Sequence, residues 1–190
     1  HDAAEAETVV DLEPDLVLAG LYTKLATRNM LTELGYRVER LDPARDIDSA
    51  LDQIRQVAAL VGHTERGEAL VAEIESAMDR ATEAAGGGGR PTAAFYQRRG
   101  YVTGGETLTG ELMQAVGLDN AGGALAGPRG GFVRLEELIA TPPDLLIVAS
   151  PDVTPRDQGE ALLGHPALAT TFPAARRIVL PERLTVCGGP

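Results

Sequence analysis

Residues 46–85, DIDSALDQIRQVAALVGHTERGEALVAEIESAMDRATEAA, decide how the rest of the chain is read. Ile47, Leu51, Ile54, Val57, Ala58 and Val61 recur at three- and four-residue steps and form one apolar helical stripe. Gly62 and His63 interrupt the pattern, and Thr64 has the hydroxyl of an N-cap for a second helix. Leu70, Val71, Ile74, Ala77, Met78 and Ala81 carry the stripe on to the glycine run Gly86–Gly89. At 1.5 Å per residue, a helix of about 20 residues is roughly 30 Å long, enough to hold two small lobes apart.

The flanks read as α/β segments. Upstream, Leu16–Ala19 is a short unbroken apolar run after Glu13-Pro14-Asp15, the pattern of a buried parallel strand. A helix over Lys24–Leu34 stops at Gly35, and a second strand follows over Tyr36–Leu41. Downstream, strands are expected at Thr92–Tyr96, Tyr101-Val102, Leu145–Ala149 and Arg177–Leu180. Helices are expected after Thr107 or Thr109 through Val116, at Leu135–Ala140, and at Glu160–Leu163 and Pro166–Thr170. Asp119–Gly131 reads as a Gly- and Ala-rich loop. Glu13-Pro14-Asp15-Leu16-Val17-Leu18 is echoed by Pro142-Pro143-Asp144-Leu145-Leu146-Ile147, each entering an apolar strand.

Composition limits the function. Seventeen Lys and Arg against 28 Asp and Glu give a net charge of −11, with no basic cluster, which excludes phosphate-backbone binding as the working mode. No apolar run approaches the roughly 18 residues of a membrane span. One cysteine, Cys187, makes no internal disulfide. His1, His63 and His165 lack metal-ligand spacing, His63 and His165 read as turn residues, and Cys187 has no neighbouring base. Gly86–Gly89 lacks the Lys-Ser/Thr of a phosphate loop and is a linker. No catalytic constellation emerges.

One cluster does point to a ligand. Tyr96, Gln97, Arg98, Arg99 and Tyr101 gather aromatic and cationic groups at the end of a strand, where open α/β sheets bind small molecules. Arg pairs with carboxylate or phosphate, and Tyr offers flat contact area with a polar tip. Tyr22 holds the matching position after the first strand.

Glu13–Ala19, Gly35 and its strand, Gln53-Ile54-Arg55 leading to Leu60-Val61-Gly62, Thr103-Gly104-Gly105, Gly117-Leu118-Asp119-Asn120, Leu135-Glu136-Glu137-Leu138 with Pro143–Ile147, and Cys187-Gly188-Gly189-Pro190 occur in an order that resembles the substrate-binding proteins of ABC importers. The class is the one serving vitamin B12, ferric siderophores and haem.

The resemblance implies two Rossmann-like α/β lobes joined by one long helix, with a metal chelate held between them and no resident cofactor. Residues 1–62 would be a partial first lobe, 63–90 the interlobe helix and Gly linker, and 91–190 the second lobe. It also implies a periplasmic or lipid-anchored location, a membrane permease as partner, and a monomer at full length. Tyr101 would line the cleft, and Arg98, Arg99 and Arg129 incline the site toward a siderophore while leaving corrinoids and haem open. Glu136 matches the second-lobe glutamate that docks on the permease. Lys24 and Leu25 stand where a first-lobe glutamate belongs, and Gly20 stands where an aromatic belongs unless Tyr22 replaces it. An opening strand–helix–strand before His1 and a closing helix after Pro190 are also expected. The alternative is a chelatase-like or metallocluster-type enzyme on the same paired lobes.

Overall fold

The computed structural model describes residues 6–86, 88–150 and 162–181. The chain divides into two compact units, His1–Ala44 and Arg45–Pro190.

In the first unit, α1 (Ala6–Val10) leads to β1 (Val17–Ala19), α2 (Leu25–Glu33) and β2 (Val38–Arg40). The two strands pair in parallel, with Val17 opposite Val38 and Ala19 opposite Arg40. That arrangement needs a crossover, and α2 supplies it. Leu31 is the buried anchor of α2, and Gly35 leaves the helix at φ 91°, a conformation that favours glycine.

The second unit opens on the two helices read from residues 46–85. Helix α3 spans Ile47–Leu60, and Asp46 caps it reciprocally with Ser49. Helix α4 spans Thr64–Ala85. Thr64 is not its N-cap. His63 holds that position without a side-chain bond, because the His63 amide donates to Ala58 O at 2.7 Å and the chain turns directly into α4.

The two helices pack side by side rather than only in series. Arg55 of α3 bonds Glu68 of α4 at 3.3 Å and lies 3.8 Å from Glu75. Buried Gly67 meets Ala58, so closely that a Cβ at Gly67 would collide with the Ala58 methyl. At the far end of α4, the Thr82 hydroxyl donates to Ala115 O at 3.1 Å, and Ala85 packs on Gly117.

The remainder forms a six-stranded sheet. Its strands are β3 (Thr92–Tyr96), β4 (Tyr101–Thr103), β5 (Asp119–Asn120), β6 (Gly130–Phe132), β7 (Leu145–Ser150) and β8 (Arg177–Pro181). The order is β6-β4-β3-β7-β8, and β5 pairs with the start of β3. The β3–β7 and β7–β8 pairs are parallel, while β4 runs antiparallel to both β3 and β6. Helix α5 (Leu108–Ala115) is capped by Thr107, whose hydroxyl accepts from Gly110 N. It is followed by α6 (Gly122–Ala126), α7 (Leu135–Ala140) and α8 (Pro166–Thr171).

Strand alternation sorts the core onto two faces. Ala94, Tyr96, Leu146 and Val148 pack with Leu138 of α7 and with Leu168 and Phe172 at α8. Ala93, Phe95 and Ile147 pack with Met113 of α5.

The stretch expected as one loop, Asp119–Gly131, contains β5, α6 and the start of β6. Elements this short show no sequence period, and glycine permits their close approach: a Cβ at Gly122 would strike Thr103 O, and one at Gly130 would strike Val102 O. The helix expected at Glu160–Leu163 lies partly outside the described residues; Leu162–Gly164 is a 3₁₀ turn.

Candidate functional site

The carboxyl end of β3 builds the site. Beyond Tyr96 the chain makes a 3₁₀ turn, Arg98–Gly100, and returns as β4. The turn is closed by Gly100 N donating to Gln97 O at 3.0 Å and Gln97 N donating to Tyr101 O at 2.7 Å. Arg99 takes a left-handed conformation, φ 61° and ψ 15°, which a non-glycine residue adopts at a cost. Gly100 follows at φ 80°, and a Cβ there would lie 2.6 Å from Val133 O and 3.0 Å from the Tyr96 hydroxyl. Glycine is therefore the residue that fits, and the turn presents two adjacent exposed guanidiniums, Arg98 and Arg99.

Tyr96, expected at the ligand-facing rim, is placed elsewhere. Its side chain is 0% exposed and belongs to the core with Val102, Val133, Leu138 and Phe172. The reason is register: Tyr96 still pairs with Val148 and Val102, and it follows Ala94 onto the helix-covered face. Burial, reinforced by the charge of Glu136, raises its phenol above the ordinary tyrosine value. Its hydroxyl has no hydrogen-bond partner among the described residues. Gln97, also expected to face ligand, donates its side-chain amide to Thr103 Oγ1 at 2.7 Å, which fixes the loop.

Tyr101, Arg129 and a residue the sequence reading missed come together on the edge of the sheet. The Tyr101 hydroxyl donates to Arg129 O at 3.2 Å. Its ring meets Phe132 edge to face, with centroids 5.5 Å apart and planes at 76°. Phe132 pairs with Tyr101 in the β4–β6 register and is 74% exposed. The signal for it was compositional: three phenylalanines in the whole chain, this one directly after two glycines, just past the end of the stretch read as loop. The side chains of Arg99 and Arg129 make no ion pair among the described residues.

Next to Phe132 lies a concavity of roughly 400 Å³ bordered by Arg99, Arg134, Glu136 and His165. Glu136 is exposed, whereas its neighbour Glu137 is held by Arg134 through side-chain bonds of 2.7 and 3.0 Å. That pairing keeps the Glu137 carboxyl below the ordinary glutamate value. His165 is a turn residue, with Nδ1 accepting from Ala167 N at 3.2 Å ahead of α8. Among the described residues, no three His, Cys, Asp or Glu side chains converge on a metal site. Cys187 and His1 lie outside the described residues. On the first unit, Tyr22 is 93% exposed just beyond β1, and Lys24 precedes α2 without a capping bond.

Comparison with known proteins matches this arrangement. A family model described as periplasmic binding protein matches residues 1–180. The periplasmic haem-binding protein RhuT from Roseiflexus sp. RS-1 superposes with a TM-score of 0.75 at 27% identity, covering 98% of this chain and 74% of that one. A periplasmic haem-binding protein from Pseudomonas aeruginosa shares the fold, with a TM-score of 0.74 at 24% identity over 97% of this chain and 70% of that one. A cobalamin-binding protein of Halobacterium salinarum is 26% identical over 145 residues, 74% of this chain and 39% of the relative. The chain thus spans about two fifths of the length of the curated relatives it matches. The mixed α/β fold with its parallel-rich sheet is the one the motif order implied. On the match across residues 1–180, this chain belongs to the periplasmic binding protein family.

Proposed function

We propose that this protein is a non-catalytic, extracytoplasmic receptor that captures a metal chelate and delivers it to an ABC importer. The ligand is an iron–siderophore, a corrinoid or a haem, brought in as cargo rather than as a resident cofactor. The observation that carries the proposal is the cluster of Arg98, Arg99 and Tyr101 beyond the carboxyl end of β3, with Arg129 joined to Tyr101 through its carbonyl, in a chain of this family. Flat aromatic area and guanidinium donors suit a chelate that presents polar or anionic oxygens. The haem- and cobalamin-binding relatives support the ligand class. Tyr22 is the corresponding exposed aromatic of the first unit. Glu136 is the carboxylate offered to the permease, and the location is periplasmic or anchored by lipid outside the cytoplasmic membrane.

The test is titration of the full-length chain with haemin, cyanocobalamin and ferrioxamine B, followed by absorbance and calorimetry. Saturable one-to-one binding of at least one probe is expected, weakened by Arg99→Gln or Tyr101→Ala. Failure to bind all three would overturn the proposal.

A further inference from the structure

The exposed Phe132 has no role in the cluster read from sequence. Of the chain's three phenylalanines, Phe95 and Phe172 are buried in the two cores, and Phe132 alone stands open. It sits on β6, the last strand at one edge of the sheet. Its fold-level contact is the Tyr101 ring, met at 76°, so the two rings form a right-angled corner rather than a stacked pair. Such a corner leaves the broad face of Phe132 free and the Tyr101 hydroxyl occupied on Arg129 O. Arg99 on the 3₁₀ turn lines the same concavity as Phe132, and Arg129, just before β6, is joined to the corner through its carbonyl; neither side chain makes an ion pair among the described residues.

We infer that Phe132 is a ligand-stacking residue, and that the Phe132–Tyr101 corner with Arg99 and Arg129 selects a flat, conjugated chelate bearing carboxylates. The inference rests on the receptor function proposed above and narrows its ligand. A planar π-system gains from lying on an open aromatic face, and peripheral carboxylates gain from planar guanidiniums. A hydroxamate wrapped around iron has no such face, and a corrin carries neutral amides at its periphery. Neither chemistry uses both halves of the corner.

The full chain is titrated with haemin, with the dimethyl ester of haemin, with cyanocobalamin and with ferrioxamine B. Near-ultraviolet circular dichroism establishes that each variant is folded. Haemin binding is expected to weaken about tenfold in Phe132→Ala, the scale of one lost aromatic contact, and to survive within about threefold in Phe132→Trp. The wild type is expected to prefer haemin to its ester, and Arg99→Gln/Arg129→Gln to lose that preference while still binding the ester. Unchanged haemin affinity in Phe132→Ala overturns the inference, as does ferrioxamine B or cyanocobalamin binding where haemin does not; both outcomes leave the receptor function standing. Binding of no probe removes the receptor function itself, and the inference with it.

Discussion

Asp144 and Thr92 hold the starts of β7 and β3 together by three hydrogen bonds. The Thr92 amide and hydroxyl donate to Asp144 Oδ2 at 2.9 and 2.8 Å, and the Asp144 amide donates back to Thr92 Oγ1 at 2.9 Å. The Pro-Asp turn read from sequence is thus a clasp between parallel neighbours. Asp144→Ala leaves Thr92 without its acceptor and is expected to lower Tm by roughly 3–6 °C, read by thermal denaturation. Thr92→Ser keeps all three bonds and is expected to stay within about 1–2 °C of wild type. Equal losses in the two variants would contradict the clasp.

The same carboxylate makes stability depend on acid. Hydrogen bonds from Thr92, then the charge of Arg176, hold Asp144 below the ordinary aspartate value. Its contribution is therefore complete above the unfolded-state value, about 4, and is lost as pH falls through the lower folded-state value. Asp46, lowered by its bonds from Ser49, adds a contribution of the same sign. Urea midpoints are expected to be flat from pH 7 to about pH 5 and to fall below about pH 4. In Asp144→Asn that fall should be shallower.

Replacing Gly67 by alanine reverses the usual rule. Alanine in a helix interior normally stabilises over glycine by about 1 kcal/mol. Here the added methyl would strike Ala58, and overpacking costs about 1–3 kcal/mol. Gly67→Ala is expected to be destabilising in chemical denaturation, with partial recovery in the double variant Ala58→Gly/Gly67→Ala.

Tyr96 separates packing from polarity. Its hydroxyl is buried without a partner, so Tyr96→Phe is expected to be neutral or stabilising by up to about 1 kcal/mol. Tyr96→Ala empties a core position and is expected to cost about 3–5 kcal/mol. Ligand affinity should be unchanged in Tyr96→Phe; a large loss would return Tyr96 to the site.

Glu136 and Glu137 are neighbours with different surroundings. Glu137 is engaged by Arg134, and Glu136 is exposed. In proteoliposomes carrying the importer, Glu136→Gln is expected to reduce uptake several-fold with unchanged ligand affinity, and Glu137→Gln to reduce it less. The reverse order would assign docking to Glu137.

The long, periodic segments are legible in the sequence. Residues 46–85 gave both helices because their apolar stripe repeats over many turns, and Leu145–Ala149 gave β7 because an unbroken apolar run between turn residues has few other meanings. Illegible were features set by tertiary contact. Helices α3 and α4 could be placed in order, but their side-by-side packing depends on Gly67 meeting Ala58 across the turn. Tyr96 looked like rim because it ends a strand, yet its pairing with Val148 turns it inward. Phe132 escaped because a three-residue strand that opens on two glycines has no period, and its partner Tyr101 lies far back in the chain.

Helix α4 is held near each end: Gly67 against Ala58, and Ala85 against Gly117. At 3.6 residues per turn those two anchor points are separated by about five complete revolutions, so they project along the same azimuth. Length in this segment is therefore quantised. Inserting or deleting one residue between the anchors would swing the distal contact by about 100°, whereas adding about 18 residues would restore its phase. Natural variation in α4 should consequently appear as substitution, with indels confined to the glycine run beyond Ala85.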